Sequence, residues 1–251
     1  MPNQSEFCES SSLNILCVHG AGAGAWEWAV WSRVLAARQM HVVAPDLQPA
    51  AEGLAETKFA HYRQQLIDVV DSPPQVQSSW VLVGASLGGL LALSVAQQVQ
   101  AKAVVLINPM PPGGVLPKPF GDPYPEIVPW GRDRSIMGTC RALPDADDAA
   151  RMLAFRNWRD ESGQVLEEAR LGVDVEWPNC PMLVYASEQD DDVPPMVSRA
   201  VATRFAADFE RLPDTSHAGP LLGRQAARIA ERTADWIACH VASSDKHIDA
   251  T

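Results

Sequence analysis

No stretch of the 251 residues approaches the roughly 18 consecutive apolar residues of a membrane-spanning helix, which excludes a helical membrane anchor within it. Basic residues are scarce: 20 Lys and Arg against 31 Asp and Glu leave a formal charge of −11. A nucleic acid or an anionic membrane surface needs a basic face, so neither is an expected partner. The opening MPNQSEFCESSS lacks the basic start and apolar middle of a secretory signal. It reads as a disordered lead over 1–12, and cytoplasmic is the expected location. Cysteine is sparse as well. Cys8, Cys17, Cys140, Cys180 and Cys239 are odd in number, scattered and without a Cys-x-x-Cys pair. That argues against a disulfide frame or a zinc site and predicts free thiols. Repeats and low-complexity tracts are missing too. What remains is a globular domain with a small-molecule partner, present as a monomer or homodimer.

What is there is an alternation. Short apolar runs begin at Leu13 (LNILCVHG), His41 (HVVAPDL), Ser79 (SWVLVGAS), Ala101 (AKAVVLINP) and Cys180 (CPMLVYAS), with a weaker sixth at Asp208 (DFERLP). Continuous Val, Ile and Leu suit strands buried on both faces. Helical patterns lie between and after them, among them FAHYRQQLIDVVD, GLLALSVAQQV, PMVSRAVATRFA and GRQAARIAERTADWIACH. This order predicts a mostly parallel α/β sheet flanked by helices. The core is assigned to 13–110 and 180–240, with a frayed tail over 241–251.

The alternation fails once, over 111–179. This segment opens with PPGGVLPKPFGDPYPEIVPW, whose prolines exclude a regular helix or an inner strand. Helix-compatible stretches, DDAARMLAFRNW and QVLEEARLG, come next. An insertion of that length usually covers a functional face, and it is expected to form a helical lid over the carboxyl edge of the sheet.

The richest motif is Gly84-Ala85-Ser86-Leu87-Gly88, with a strand before it and a helix after it. A strand that turns at once into a helix brings its backbone against its neighbours, so the glycines supply clearance while Ser86 is lifted above the sheet edge. A nucleophilic serine needs a base and an acid, which should follow in the order Ser, acid, His. Asp190 comes after the strand MLVYAS and His217 comes after ERLP, each in a loop leaving a strand's carboxyl end. His217 is then the proton carrier and Asp190 its orienting partner. Asp191 and Asp192 adjoin Asp190, and one of the three is a candidate cap for a helix beginning near Val193-Pro194-Pro195. The alternative acid position, after the preceding strand, holds Asn108.

The glycine-rich turn in CVHGAGAGAWEW offers backbone N–H groups to a developing oxyanion, with Ala21 the leading candidate and Leu87 N–H the second donor. His19 reads as a brace for that loop. A dinucleotide loop is the rival reading, but Gly20-x-Gly22 completes only half of that fingerprint, so no cofactor and no metal are expected. Trp26, Trp28 and Trp31 read chiefly as core. In the insertion, Phe120, Tyr124, Trp130, Met137, Met152, Phe155 and Trp158 suit an apolar substrate. Trp130, Met137, Phe155 and Trp158 are taken as substrate-binding. Arg132, Arg134, Arg156 and Arg159 meet either a substrate carboxylate or acids of the insertion.

With Ser86, Asp190 and His217 in place, the chain from about Leu13 to Cys239 resembles the α/β-hydrolase superfamily. VHGAGAGAWEW, HVVAPDL and VLVGASLGG are most similar to the methylesterase and hydroxynitrile-lyase branch and its bacterial relatives. It departs from that branch in the insertion, in Ala85 before the serine where histidine is frequent, and in Ser187 where glycine is usual. The resemblance implies a serine hydrolase acting on a carboxylic ester, lactone or thioester of a small, largely apolar molecule. The same triad run as a lyase or acyl-transferring cyclase, and a non-catalytic ligand-binding homologue, are the alternatives.

Overall fold

The computed structural model describes residues 13–72, 79–119 and 121–244. The expected lead over 1–12, Phe120 and the tail beyond Ser244 lie outside the described residues. The Val, Ile and Leu runs form strands β1 (Leu13–Val18), β2 (His41–Val43), β3 (Ser79–Ala85) and β4 (Ala103–Ile107). Between them lie α1 (Ala29–Ala37), α2 (Phe59–Asp71) and α3 (Leu87–Ala96). The insertion contributes β5 (Ile127–Val128), α4 (Ile136–Ala142), α5 (Asp148–Asn157), β6 (Glu161–Ser162) and α6 (Gly163–Leu171). The chain returns to the sheet with β7 (Met182–Gln189), α7 (Pro195–Arg204), β8 (Asp208–Ser216), α8 (Gly219–Leu222) and α9 (Ala226–Ser244). Helix α9 therefore runs into the segment expected to be a frayed tail.

Six strands form one sheet in the order β2-β1-β3-β4-β7-β8, parallel at every pairing. Side chains alternate across it with period two. Leu16, Leu82, Val104 and Val184 face one layer, where α2, α3, α6 and α7 supply Leu66, Leu90, Val165 and Val201. Ile15, Val81, Val105 and Leu183 face the other, against Trp28, Trp31, Leu35, Ile229 and Ile237 of the α1 and α9 side. Burial on both faces is why the inner strands read as unbroken apolar runs. The edges differ. β2 stops after three residues, just before Ala44-Pro45, where a prolyl ring removes a ladder donor. β8, the weakest in sequence, is the longest strand of this sheet, with nine residues. It is an edge strand that is only partly buried, so it carries no continuous apolar run.

The insertion differs from expectation in two ways. It holds a short antiparallel ribbon, Ile127 opposite Ser162 and Val128 opposite Glu161, and α4 is a third helix. Each of its helices starts at a side-chain cap: Ser135 accepts from Gly138 N–H, Asp147 from Ala150 N–H and Ser162 from Val165 N–H. The insertion reaches both layers, Val165, Leu166 and Ala169 on one side and Leu143, Ala146 and Ala154 on the other.

From β1 the chain steps outward to β2, then crosses back to β3 on the opposite side. The strand order thus reverses between β1 and β3, and the loops leaving their carboxyl ends meet in the crevice where open α/β sheets bind ligands. A Cβ on Gly88 would run into the carbonyl oxygens of Val18 and His19, and one on Gly84 into the Gly88 carbonyl. No side chain yields in these contacts, only backbone. Gly88→Ala is therefore expected to lower stability by about 3 kcal/mol or more, read as a shift of the urea unfolding midpoint.

Candidate active site

Ser86 occupies the turn between β3 and α3 with φ 53° and ψ −121°, a left-handed conformation that a non-glycine residue rarely adopts. The surroundings over-determine it. Ser86 N–H donates to Ile107 O at 2.9 Å, and Met110 N–H donates to Ser86 O at 3.1 Å. The first turn of α3 begins at Leu87, whose N–H has no intrahelical acceptor.

His217 follows β8, and its Nδ1 lies 2.7 Å from Asp190 Oδ2. With a carboxylate on that nitrogen, Nδ1–H donates and Nε2 is left as the acceptor. Of the three consecutive aspartates, Asp190 meets the histidine, and none caps α7, whose N-cap Pro194 has no side-chain partner. Asp190 Oδ1 accepts from Asp192 N–H at 2.9 Å and Val193 N–H at 2.8 Å, while Oδ2 holds the histidine. Asp191 and Asp192 are exposed. Asn108, the alternative acid position, works as a brace instead. Its Nδ2 donates to His217 O at 2.7 Å and Ser187 Oγ at 2.8 Å, and its Oδ1 accepts from Ser187 N–H at 2.7 Å. Ser187, a departure from the branch the chain resembles, thus has a partner in the histidine's support. Asp145, from the insertion, fixes the preceding residue: Ser216 Oγ donates to its Oδ1 at 2.6 Å.

A cavity of about 550 Å³ opens over these loops. Ser86, His217 and Ala21 all line it. So do Trp130 and Trp158 of the insertion, together with Met110, Val128 and Leu166. Met137 and Phe155 do not line it. Met137 is 69% exposed on α4, and Phe155 lies under the Arg134 guanidinium at 5.8 Å. Aromatic and Met content alone does not distinguish these positions from the lining ones. The arginines also divide: Arg132 pairs with Asp160 at 2.6 Å, whereas Arg134 and Arg141 border the cavity. Among the described residues, one group of three metal-ligating side chains comes together, Asp190, Asp192 and His217. The direct 2.7 Å hydrogen bond within it leaves no space for an ion between Asp190 and His217.

The alpha/beta hydrolase family profile matches residues 15–232. The chain belongs to that family. No curated protein sequence matches it. Solved structures do. A pyrethroid hydrolase from Sphingobium faniae superposes with a TM-score of 0.67 at 20% identity, covering 94% of this chain and 100% of its own. A methylesterase from Arabidopsis gives 0.67 at 14% identity, over 88% and 97%. A variant of tomato methylketone synthase I gives 0.70 at 15% identity, over 90% and 98%. At these identities the likeness is one of fold.

The electrostatics of this α/β hydrolase follow from burial and partners. Burial pushes the His217 pKa down, but the hydrogen bond to Asp190 and the charges of Asp190, Asp192 and Glu27 outweigh it, and the net shift is upward from 6.5. His19 goes the other way, to about 4, chiefly through burial. Neutral His19 accepts from Leu47 N–H at Nε2, 3.0 Å away, with Nδ1 2.8 Å from Gly20 O. It is the brace the sequence suggested. Two residues of the site carry no sequence signal: Asp145 and Glu27. Glu27 is 5% exposed, lines the cavity and accepts from Gly20 N–H at 3.2 Å. Burial raises its pKa to about 7, against the pull of that hydrogen bond and of His217 and Arg159.

Two outcomes test this electrostatic arrangement. Folded Glu27 keeps its proton to about pH 7, whereas the unfolded chain loses it near 4.5. Its contribution to stability is whole below 4.5 and lost as pH rises through 7. Glu27→Gln cannot ionise, so its stability relative to wild type should rise between pH 4.5 and 8 by up to about 3 kcal/mol in urea unfolding. Separately, NMR titration of His217 should show its pKa falling most in Asp190→Asn, less in Asp192→Asn and least in Asp191→Asn.

Proposed function

We propose that this α/β hydrolase is a carboxylic ester hydrolase that works through an acyl-enzyme on Ser86. The observation that carries the reading is the hydrogen bond between His217 and Asp190, with Ser86 in the wall of the same cavity. Ser86 Oγ attacks the ester carbonyl while His217 Nε2 takes its proton. The carbonyl oxygen becomes an oxyanion held by the N–H groups of Ala21 and Leu87. The intermediate collapses, the C–O bond to the alcohol breaks, and His217 returns the proton to the departing alkoxide. Water then gives its proton to His217 and attacks the acyl carbon. Collapse of the second intermediate frees the acid, and the proton goes back to Ser86. Asp190 keeps the ring in the working tautomer and stabilises the imidazolium.

The insertion serves as the lid. Trp130 and Trp158, with Met110, Val128 and Leu166, offer an apolar wall suited to an aliphatic or aromatic group on either side of the ester. Several fold relatives are named as hydrolases or esterases, a pyrethroid hydrolase and a methylesterase among them. A lactone or thioester presents the same carbonyl to the same atoms.

The base must be neutral to act, and its pKa is raised, so kcat/KM should climb with pH through a midpoint above 6.5. Ser86→Ala should lower turnover of an activated ester by up to about 10⁶-fold without unfolding the protein. A fluorophosphonate should add to Ser86 of the wild type, seen by peptide mass. Near-wild-type turnover by Ser86→Ala would refute the nucleophile. Assays on matched esters, lactones and thioesters then identify the bond, with esters expected to be turned over fastest.

A further inference from the structure

The run Gly20-Ala21-Gly22-Ala23 after β1 presents four successive N–H groups, and their partners are unequal. Gly20 N–H donates to Glu27 Oε2 at 3.2 Å, Gly22 N–H donates to Glu161 Oε2 at 2.9 Å, and Ala23 N–H donates to Gly20 O at 3.4 Å. Among the described residues, Ala21 N–H makes no hydrogen bond. The free donor therefore stands between two donors that buried carboxylates have taken.

The two carboxylates arrive from opposite directions. Glu27 lies in the helical turn that follows the loop, and Glu161 lies in β6 of the insertion, 139 residues from Gly22. They are 5% and 3% exposed. Glu161 is fully engaged: its Oε1 accepts from Tyr62 hydroxyl at 2.8 Å and from Ser162 N–H at 2.8 Å. The insertion also holds the far side of the same glycine, since Arg159 N–H donates to Gly22 O at 2.7 Å. Gly22 has φ +66°, and a Cβ there would strike the Trp130 ring. Both hydrogen-bonding groups of Gly22 are thus fixed by one segment, which itself forms a wall of the cavity.

We propose that Glu27 and Glu161 form a bracket that aims Ala21 N–H at the oxyanion, so that the insertion takes part in assembling the oxyanion hole. This rests on the reading of Ser86 as nucleophile and Ala21 as donor. Neither glutamate touches the reacting atoms; both are positioning residues acting through the backbone. The chemistry of the acceptors explains the residue types. Glu161 serves three donors, which a carboxylate accommodates with its lone pairs. A glutamine there loses one contact if its NH₂ faces Gly22 N–H and two if it faces Tyr62 and Ser162, so the Gly22 contact is the one given up. Glu27 serves one donor, which an amide oxygen also satisfies. A donor displaced by about 1 Å costs on the order of 10²-fold in rate.

The test is the rate at which a fluorophosphonate labels Ser86 at pH 8, followed by intact mass beside kcat and KM on an activated ester. The phosphoryl oxygen of the adduct occupies the oxyanion position. Glu161→Gln and Glu27→Ala should slow labelling and lower kcat by roughly 10- to 100-fold, with KM within about two-fold. Glu27→Gln, which keeps an acceptor oxygen, should recover most of the Glu27→Ala loss. Tyr62→Phe, which removes a neighbour of Glu161 but leaves the Gly22 contact, should label at close to the wild-type rate. Wild-type labelling in Glu161→Gln and Glu27→Ala overturns the proposal, as does equal slowing in Tyr62→Phe and Glu161→Gln, or no recovery in Glu27→Gln. If Glu161→Gln fails to fold by circular dichroism, the Glu27→Ala and Glu27→Gln pair decides alone. Failure of the wild type to label at Ser86 overturns the nucleophile reading itself, a result distinct from any of these.

Discussion

The arrangement depends on how closely the first turn of α3 approaches the end of β1. Gly88 lies against the carbonyls of Val18 and His19, and Gly84 lies against Gly88, at separations that leave no volume for a methyl group. That contact brings the Ser86 corner beside the loop beginning at Gly20, which lines the same cavity. It also holds Ser86 at φ 53°, a conformation that costs roughly 1–3 kcal/mol and persists only under restraint. The restraint is backbone: Ile107 O on one side and Met110 N–H on the other. The Ser86 corner and the Gly20 loop are neighbours because the strand order reverses between β1 and β3, so both sit at the crevice where the order changes.

The histidine is held differently, by side chains rather than by backbone packing. His217 follows an edge strand, where the sheet itself imposes little. Asp190 takes its ring nitrogen, Asn108 its carbonyl, and Asp145 the Ser216 hydroxyl before it. Each comes from a different element. Buried polar groups left without partners are costly, so every member of such a network enforces the position of the next. Asp190 is the clearest case, since one oxygen holds the histidine while the other closes the turn that presents it. The upward pKa of His217 has the same origin, for the carboxylate's favour to the imidazolium exceeds the penalty of burial.

The insertion is wall and brace together. Its apolar residues enter both core layers, Trp130 and Trp158 line the cavity, and its ribbon carries Glu161 to Gly22 N–H. A segment tied to the body at so many points is part of the site's architecture. Its composition was a poor guide to which side chains face the cavity. Trp130 and Trp158 do, but Met137 projects outward and Phe155 lies under Arg134.

The sequence by itself determined the buried strands, most of the helices and the elbow at Ser86, because each has a short-range signature: apolar runs, helical periodicity, glycines where backbone approaches backbone. It also put Asp190 and His217 on loops leaving consecutive strands. It understated β8, whose half-exposed edge position removes the apolar run, and it passed over α4 and the β5–β6 ribbon, which are too short for a periodic pattern. Only the tertiary structure decided that Asn108, Asp145, Glu27 and Glu161 support the site. Glu161 reaches Tyr62 across 99 residues and Gly22 across 139. A hydrogen bond between such distant positions leaves no local pattern, since its donor and acceptor become neighbours only when the layers pack.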